Sequence, residues 1–233
     1  MKAHFAKILL LATIILLPAA LRAAEPAAYD PAKWKPDMEK FARQDREDPP
    51  PQGGVLFLGS SSIRFWKSLD TDFPGLPLRN RGFGGSRVSD STLYFDQLVL
   101  PMKPRLIVFF AGTNDINAGI SAEQVAADFR EFCAKLHSVL PDTRVIYISI
   151  AITERRWEQR ATVALANTCI AAFCHSDPKR LLFFDTNSTL LTPEGKPRPE
   201  LYRDDKLHMN AKGYAEWAKL LRPLLMPQQQ PAS

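Results

Sequence analysis

Histidine and cysteine are scarce in this chain, with four and three among 233 residues. Three cysteines cannot all pair within one chain. Cys169 and Cys174 stand five apart in what reads as one helix, on different faces, so a bridge between them would break it. A single disulfide involving Cys133 stays open. Neither the cysteine spacing nor the neighbouring histidines match a zinc site, so no metal is expected and the thiols read as small buried residues. Low-complexity tracts are lacking, which argues against disorder. Beyond the N-terminus no run is long and apolar enough for a membrane segment. An excess of one charge is lacking as well. Residues 1–24 hold three of the 30 Lys and Arg and none of the 25 acids, which leaves 27 basic against 25 acidic residues, or +2. Those charges alternate as on a solvated surface, so nucleic-acid binding has little support.

What is present begins with an export-like segment. Lys2 and Lys7 precede an apolar run over 8–17, and residues 18–24 are mostly small. This is the layout of a signal peptide, cleaved to leave no stable membrane insertion, and the product is expected in the periplasm or secreted. An uncleaved anchor is the other reading, disfavoured because the run falls short of the ~20 residues a span needs. Residues 25–54 read as a helical extension, with Trp34, Met38 and Phe41 at helical spacing. Residues 55–226 read as one α/β domain and 227–233 as a flexible tail. Within that domain the short apolar runs at 55–58, Leu106–Phe110, 145–148 and Leu181–Phe184 suit strands buried on both faces of a parallel sheet. A shorter strand near 78–80 makes five. Helices are expected near 122–140, 155–175 and 211–220, the first with a Ser121/Gln124 capping box and a stop at Pro141. Strands alternating with helices give a single three-layer sandwich, its site at the carboxyl ends of the strands.

The residues that come after the strands carry the chemistry. The first strand runs into Gly59-Ser60-Ser61-Ser62 and a short helix near 63–66. A glycine allows a tight turn, and a helix start offers free N–H groups to a developing anion. The second ends in Asn80-Arg81-Gly82-Phe83-Gly84-Gly85-Ser86 and the third in Ala111-Gly112-Thr113-Asn114-Asp115. Each segment alone also reads as a plain turn or helix cap. Of the histidines, His4 lies in the export segment, His137 mid-helix and His175 near a helix end. His208 differs, because Asp205 three residues ahead can fix its tautomer and leave the other nitrogen for a serine proton. Asn210 is placed to cap the final helix.

Together the four segments resemble the SGNH hydrolase superfamily, the GDSL-type esterases and lipases, and specifically an exported bacterial subgroup. The resemblance runs from about residue 55 to 220, in the superfamily's block order. It implies a flavodoxin-like α/β/α sandwich with a five-stranded, mainly parallel sheet. It also implies a serine esterase with Ser61 as nucleophile, Asp205 and His208 completing the triad, and no metal or organic cofactor. The oxyanion donors it implies are the N–H groups of Ser61 and Gly85 and the amide of Asn114. One departure is Ser60, where the family has Asp. It leaves three consecutive serines, and choosing Ser61 over Ser60 or Ser62 rests on the family motif. The expected substrate is a small-molecule or polysaccharide ester with a short acyl group, such as acetyl on a carbohydrate. The alternatives are a lysophospholipase or thioesterase, or a catalytically idle glycan-binding relative. Oligomeric state is not legible.

Overall fold

Every strand but one reads directly from an apolar run, and the sheet keeps that rhythm. The computed structural model describes residues 29–225, so the expected signal segment (1–24) and tail (227–233) lie outside the described residues. Contacts divide the chain into Met1–Asp30, of which Tyr29 and Asp30 are described, and Pro31–Ser233, which holds the α/β fold. Strands β1 (Val55–Gly59), β2 (Leu78–Gly82), β3 (Leu106–Phe110), β4 (Arg144–Ile148) and β5 (Leu181–Phe184) form one sheet. Its order is β2-β1-β3-β4-β5, and each neighbouring pair is parallel. The chain leaves β1 for β2 on one side and then returns to β3 on the other. This makes the β1/β3 boundary the switch point where such sheets open a crevice.

The helices are α1 (Lys35–Glu47), α2 (Ser61–Arg64), α3 (Leu69–Asp72), α4 (Val88–Leu93), α5 (Phe95–Leu98), α6 (Thr113–Asn117), α7 (Ala122–Val139), α8 (Arg160–His175), α9 (Asn187–Leu190) and α10 (Ala211–Leu225). Alternate strand residues serve opposite layers. Leu56, Leu58, Ile107, Phe109, Val145 and Tyr147 pack with Val88 of α4, Phe95 of α5, Phe129 and Phe132 of α7 and Ile170 of α8. Val55, Phe57, Val108, Phe110, Ile146 and Ile148 pack with Ile63 of α2, Leu69 of α3 and Trp217 and Leu221 of α10. Both sheet faces are therefore covered, as the continuous apolar runs require.

Local details differ from expectation in three places. The N-cap half of the Ser121 box forms, with the Gln124 N–H donating to Ser121 Oγ at 3.2 Å. The Gln124 side chain instead donates to Asp128 Oδ1 at 2.7 Å, one turn on, so the reciprocal half is missing. The segment expected to start α8 is a 3-10 turn, Glu154–Gln159, broken at Arg156 (φ −122°, ψ 32°). Helix α10 continues past residue 220 to Leu225 with Pro223 in its last turn, because Leu221 and Leu225 stay buried. Cys133, Cys169 and Cys174 are free thiols. Burial pushes the Cys133 thiol far up and that of Cys174 up to about 12.

Candidate active site

Gly59 ends β1 at φ +143°, and a Cβ there would fall 1.9 Å from the Phe110 carbonyl oxygen. Only glycine permits that approach of β1 to β3. The Ser60 N–H then donates to the same Phe110 oxygen at 2.9 Å, and the chain turns into α2. Ser60 and Ser62 are buried at 2% and 8% exposure, whereas Ser61 is half-buried. The Ser62 carbonyl accepts the Tyr214 hydroxyl of α10 at 2.9 Å, which fixes the turn from below. Asn80 of β2 fixes it from the side: its amide donates to Ile63 O at 2.8 Å and its oxygen accepts Gly82 N–H at 2.8 Å.

The loop before α10 brings in Asp205 and His208. Asn210 is the cap anticipated for α10, its Oδ1 accepting the N–H groups of Lys212 (2.9 Å) and Gly213 (3.2 Å). Its amide nitrogen donates to Glu200 O and Tyr202 O, both at 2.9 Å, and so ties the loop to the 3-10 turn Pro199–Leu201 and the residue after it. Asp205 Oδ1 accepts the N–H groups of Leu207 and His208, each at 2.9 Å, and Oδ2 lies 2.7 Å from His208 Nδ1. Burial pushes this carboxyl up, but the His208 N–H, the imidazole and the Leu207 N–H outweigh it and hold it at about 2. An ionised Asp205 must accept from Nδ1–H. That leaves Nε2 to accept a proton, and Nε2 lies 3.0 Å from Ser61 Oγ. Among the described residues, Ser61 is the one of the three serines bonded to His208. Phe65 packs edge-on against the imidazole (centroids 5.0 Å apart), and the Arg203 guanidinium covers Phe65 in turn.

The other two blocks converge on the same place. Asn114, at the start of α6 after Gly112 (φ +107°), donates from Nδ2 to Ser86 O at 3.0 Å. A carboxamide nitrogen carries two hydrogens, so one stays available. Asn114, Ser61, His208 and Arg156 line one small cavity of about 20 Å³. Gly85 takes φ +89° and faces Trp34, whose ring tip would lie 3.2 Å from a Cβ there. Gly85 itself does not line the cavity, but its neighbour Gly84 would place a Cβ 3.8 Å from that of Ser61. His137 instead meets Thr143 O at 3.0 Å, and burial lowers its pKa. Among the described residues no group of three or more His, Cys, Asp or Glu could hold a metal ion.

Two residues at this site are not legible from sequence. Trp34 reads there as one more apolar helix position. It lies 8% exposed with its N–H on Asp90 (3.1 Å) and its ring edge-on to Phe83, behind the glycine loop. Arg156 is one of two adjacent arginines, and nothing in the string Arg155-Arg156-Trp157 says which turns inward.

Among curated proteins none matches the chain. The solved structures it resembles share its fold at low identity. A Streptococcus pneumonia protein described as a platelet activating factor is 19% identical, with a TM-score of 0.72 over 82% of this chain and 92% of that one. A GDSL-like lipase of Bacteroides thetaiotaomicron is 20% identical (TM-score 0.66, 81% and 96% covered). A variant of Axe2, an acetyl-xylooligosaccharide esterase of Geobacillus, is 17% identical (TM-score 0.60, 79% and 100% covered). The sequence pattern of one family spans residues 58–216, well over half of the chain and every segment of the site except Trp34, and by that match the chain belongs to the GDSL-like lipase/acylhydrolase family.

Proposed function

We propose that this chain hydrolyses carboxylic esters through an acyl-enzyme on Ser61. The observation that carries the reading is the unbroken chain Ser61 Oγ, His208 Nε2, His208 Nδ1 and Asp205 Oδ2, at 3.0 and 2.7 Å. In the first step His208 takes the Ser61 proton as Oγ attacks the ester carbonyl. The oxyanion that forms is held by the N–H groups of Ser61 and Gly85 and the free N–H of Asn114. His208 then protonates the leaving alcohol, and afterwards draws a proton from the water that releases the acyl group. Ser60, where the family has Asp, makes no capping hydrogen bond with its side chain and lies outside this proton path.

A short acyl group, acetyl on a carbohydrate, is the substrate reading we favour. The cavity beside Ser61 is small, about 20 Å³, which favours a short acyl group over a fatty chain. The resemblance to an acetyl-xylooligosaccharide esterase points the same way. Export belongs to the same proposal and rests on Lys2, Lys7 and the apolar run over 8–17; N-terminal sequencing of the protein recovered from outside the cytoplasm tests it. The activity itself is tested with a fluorophosphonate probe. Wild type is expected to label and Ser61→Ala not, with Ser60→Ala and Ser62→Ala labelling normally. Equal labelling of Ser61→Ala would sink the assignment. On p-nitrophenyl esters, acetate is expected to turn over far faster than octanoate; the reverse order would favour a lysophospholipase-type enzyme.

A further inference from the structure

Arg156 shares the cavity of Ser61, Asn114 and His208, yet no step of the acyl transfer uses it. It sits at the break of the 3-10 turn, and its non-helical backbone sends the side chain towards α6. There Nη1 donates to Thr113 O at 2.6 Å, and Nη2 faces Asn114 Oδ1 at 3.4 Å. Among the described residues it forms no ion pair with a carboxylate. Burial, with the nearby charge of Arg155, lowers its pKa. A half-buried cation set against neutral oxygens is costly for stability alone, since its partners return less than a carboxylate would.

Its position answers a need of the chemistry. The two ends of a carboxamide have nearly the same shape, and only their surroundings decide which end points where. At Asn114 the nitrogen meets the Ser86 carbonyl and the oxygen meets the guanidinium. Turning the amide over would set N–H against a cation and oxygen against a carbonyl, two repulsive contacts at once. We propose that Arg156 is the positioning residue of the oxyanion hole, locking the Asn114 amide so that its free N–H stays on the cavity side and polarising it as a donor. The same turn also grips the acid–base loop. The Arg155 N–H donates to Lys206 O at 3.1 Å, and Glu154 pairs with Lys206 at 2.6 Å. One short segment thus sets the oxyanion donor and the His208 loop relative to each other.

The inference rests on the proposed role of Asn114, and a double-mutant cycle separates the two. Turnover of p-nitrophenyl acetate and butyrate would be measured for wild type, Asn114→Ala, Arg156→Ala, Arg156→Lys and the double variants, with thermal unfolding to confirm that each is folded. Asn114→Ala is expected to lower kcat about a hundredfold. Arg156→Ala should lower kcat roughly tenfold or more, with KM within about threefold and partial recovery in millimolar guanidinium. In the Asn114→Ala background the same change should cost less than about twofold, because its effect passes through the missing amide. Should Arg156→Ala not fold, Arg156→Lys in both backgrounds carries the same comparison, since an ammonium lacks the fork that holds two oxygens. Effects that multiply, a change confined to KM, or a shift of preference towards butyrate would overturn the positioning role. An unchanged kcat in Asn114→Ala would instead remove the oxyanion hole itself.

Discussion

Replacing Asp205 by asparagine changes one atom, and the hydrogen bonds around it dictate how the imidazole responds. In the native loop Oδ1 accepts two backbone N–H groups at 2.9 Å while Oδ2 accepts His208 Nδ1–H at 2.7 Å. An asparagine has one oxygen for these two duties. Aiming its NH2 at the backbone would leave two N–H donors facing a donor, at about 1–3 kcal/mol each. The oxygen therefore stays with Leu207 and His208, and the NH2 faces Nδ1. An imidazole that accepts at Nδ1 carries its proton on Nε2, so it donates to Ser61 and cannot take that proton. The loss expected for a wrong tautomer in otherwise intact geometry is about 10⁴ in kcat, or roughly 5 kcal/mol of transition-state stabilisation. Because the Asp205 side chain is 46% exposed, thermal stability should barely change. The assay is ester turnover across pH beside a thermal melt. With Asp205 ionised down to about 2, its protonation is not expected to set the acid limb in wild type. A variant that keeps more than about a tenth of wild-type kcat would refute the tautomer argument.

Asp115, fully buried next to Asn114, accepts the Val88 N–H at 3.0 Å through Oδ1, while Oδ2 has no partner; burial raises its carboxyl to about 6 despite that N–H. A folded pKa above the unfolded 3.8 means the native state binds the proton more tightly, so stability falls as pH rises from about 4 to 6, by about 3 kcal/mol in all. Asp115→Asn should therefore gain on wild type across that window in urea unfolding, and a pH-independent difference would contradict the buried charge. Trp34→Ala should cost about 3–5 kcal/mol and lower Tm by about 10 °C in a melting scan, with kcat falling as the Gly85 loop loses its backing. Gly59→Ala, with its Cβ 1.9 Å from Phe110 O, should fail to give a folded protein by circular dichroism.

The parts legible in the sequence are those whose neighbours are close along the chain. Apolar runs reveal β1, β3, β4 and β5 because both faces of each strand meet side chains. The edge strand β2, Leu-Arg-Asn-Arg-Gly, has no such run, since Arg79 and Arg81 pair with Asp48 and Asp45 at the end of α1 instead. Glycines at 59 and 112 and the Asp205/His208 spacing announce the turns and the acid–base pair for the same local reason. Choosing among Ser60, Ser61 and Ser62 needs the position of His208. Arg156 escapes because its meaning depends on one non-helical residue and on a carbonyl and an amide more than forty residues away.

Ser61 and His208 stand 147 residues apart, joined through a serine turn near the start of the domain and a loop near its end. A chain that emerges from the ribosome N-terminus first carries its serine long before the imidazole exists. Before the end of the domain is made, the serine turn lacks two of its partners, His208 at Ser61 and Tyr214 at Ser62. The Ser61–His208 hydrogen bond therefore belongs to the finished domain alone: a partial chain, however well its early strands pair, has no imidazole to place beside Ser61.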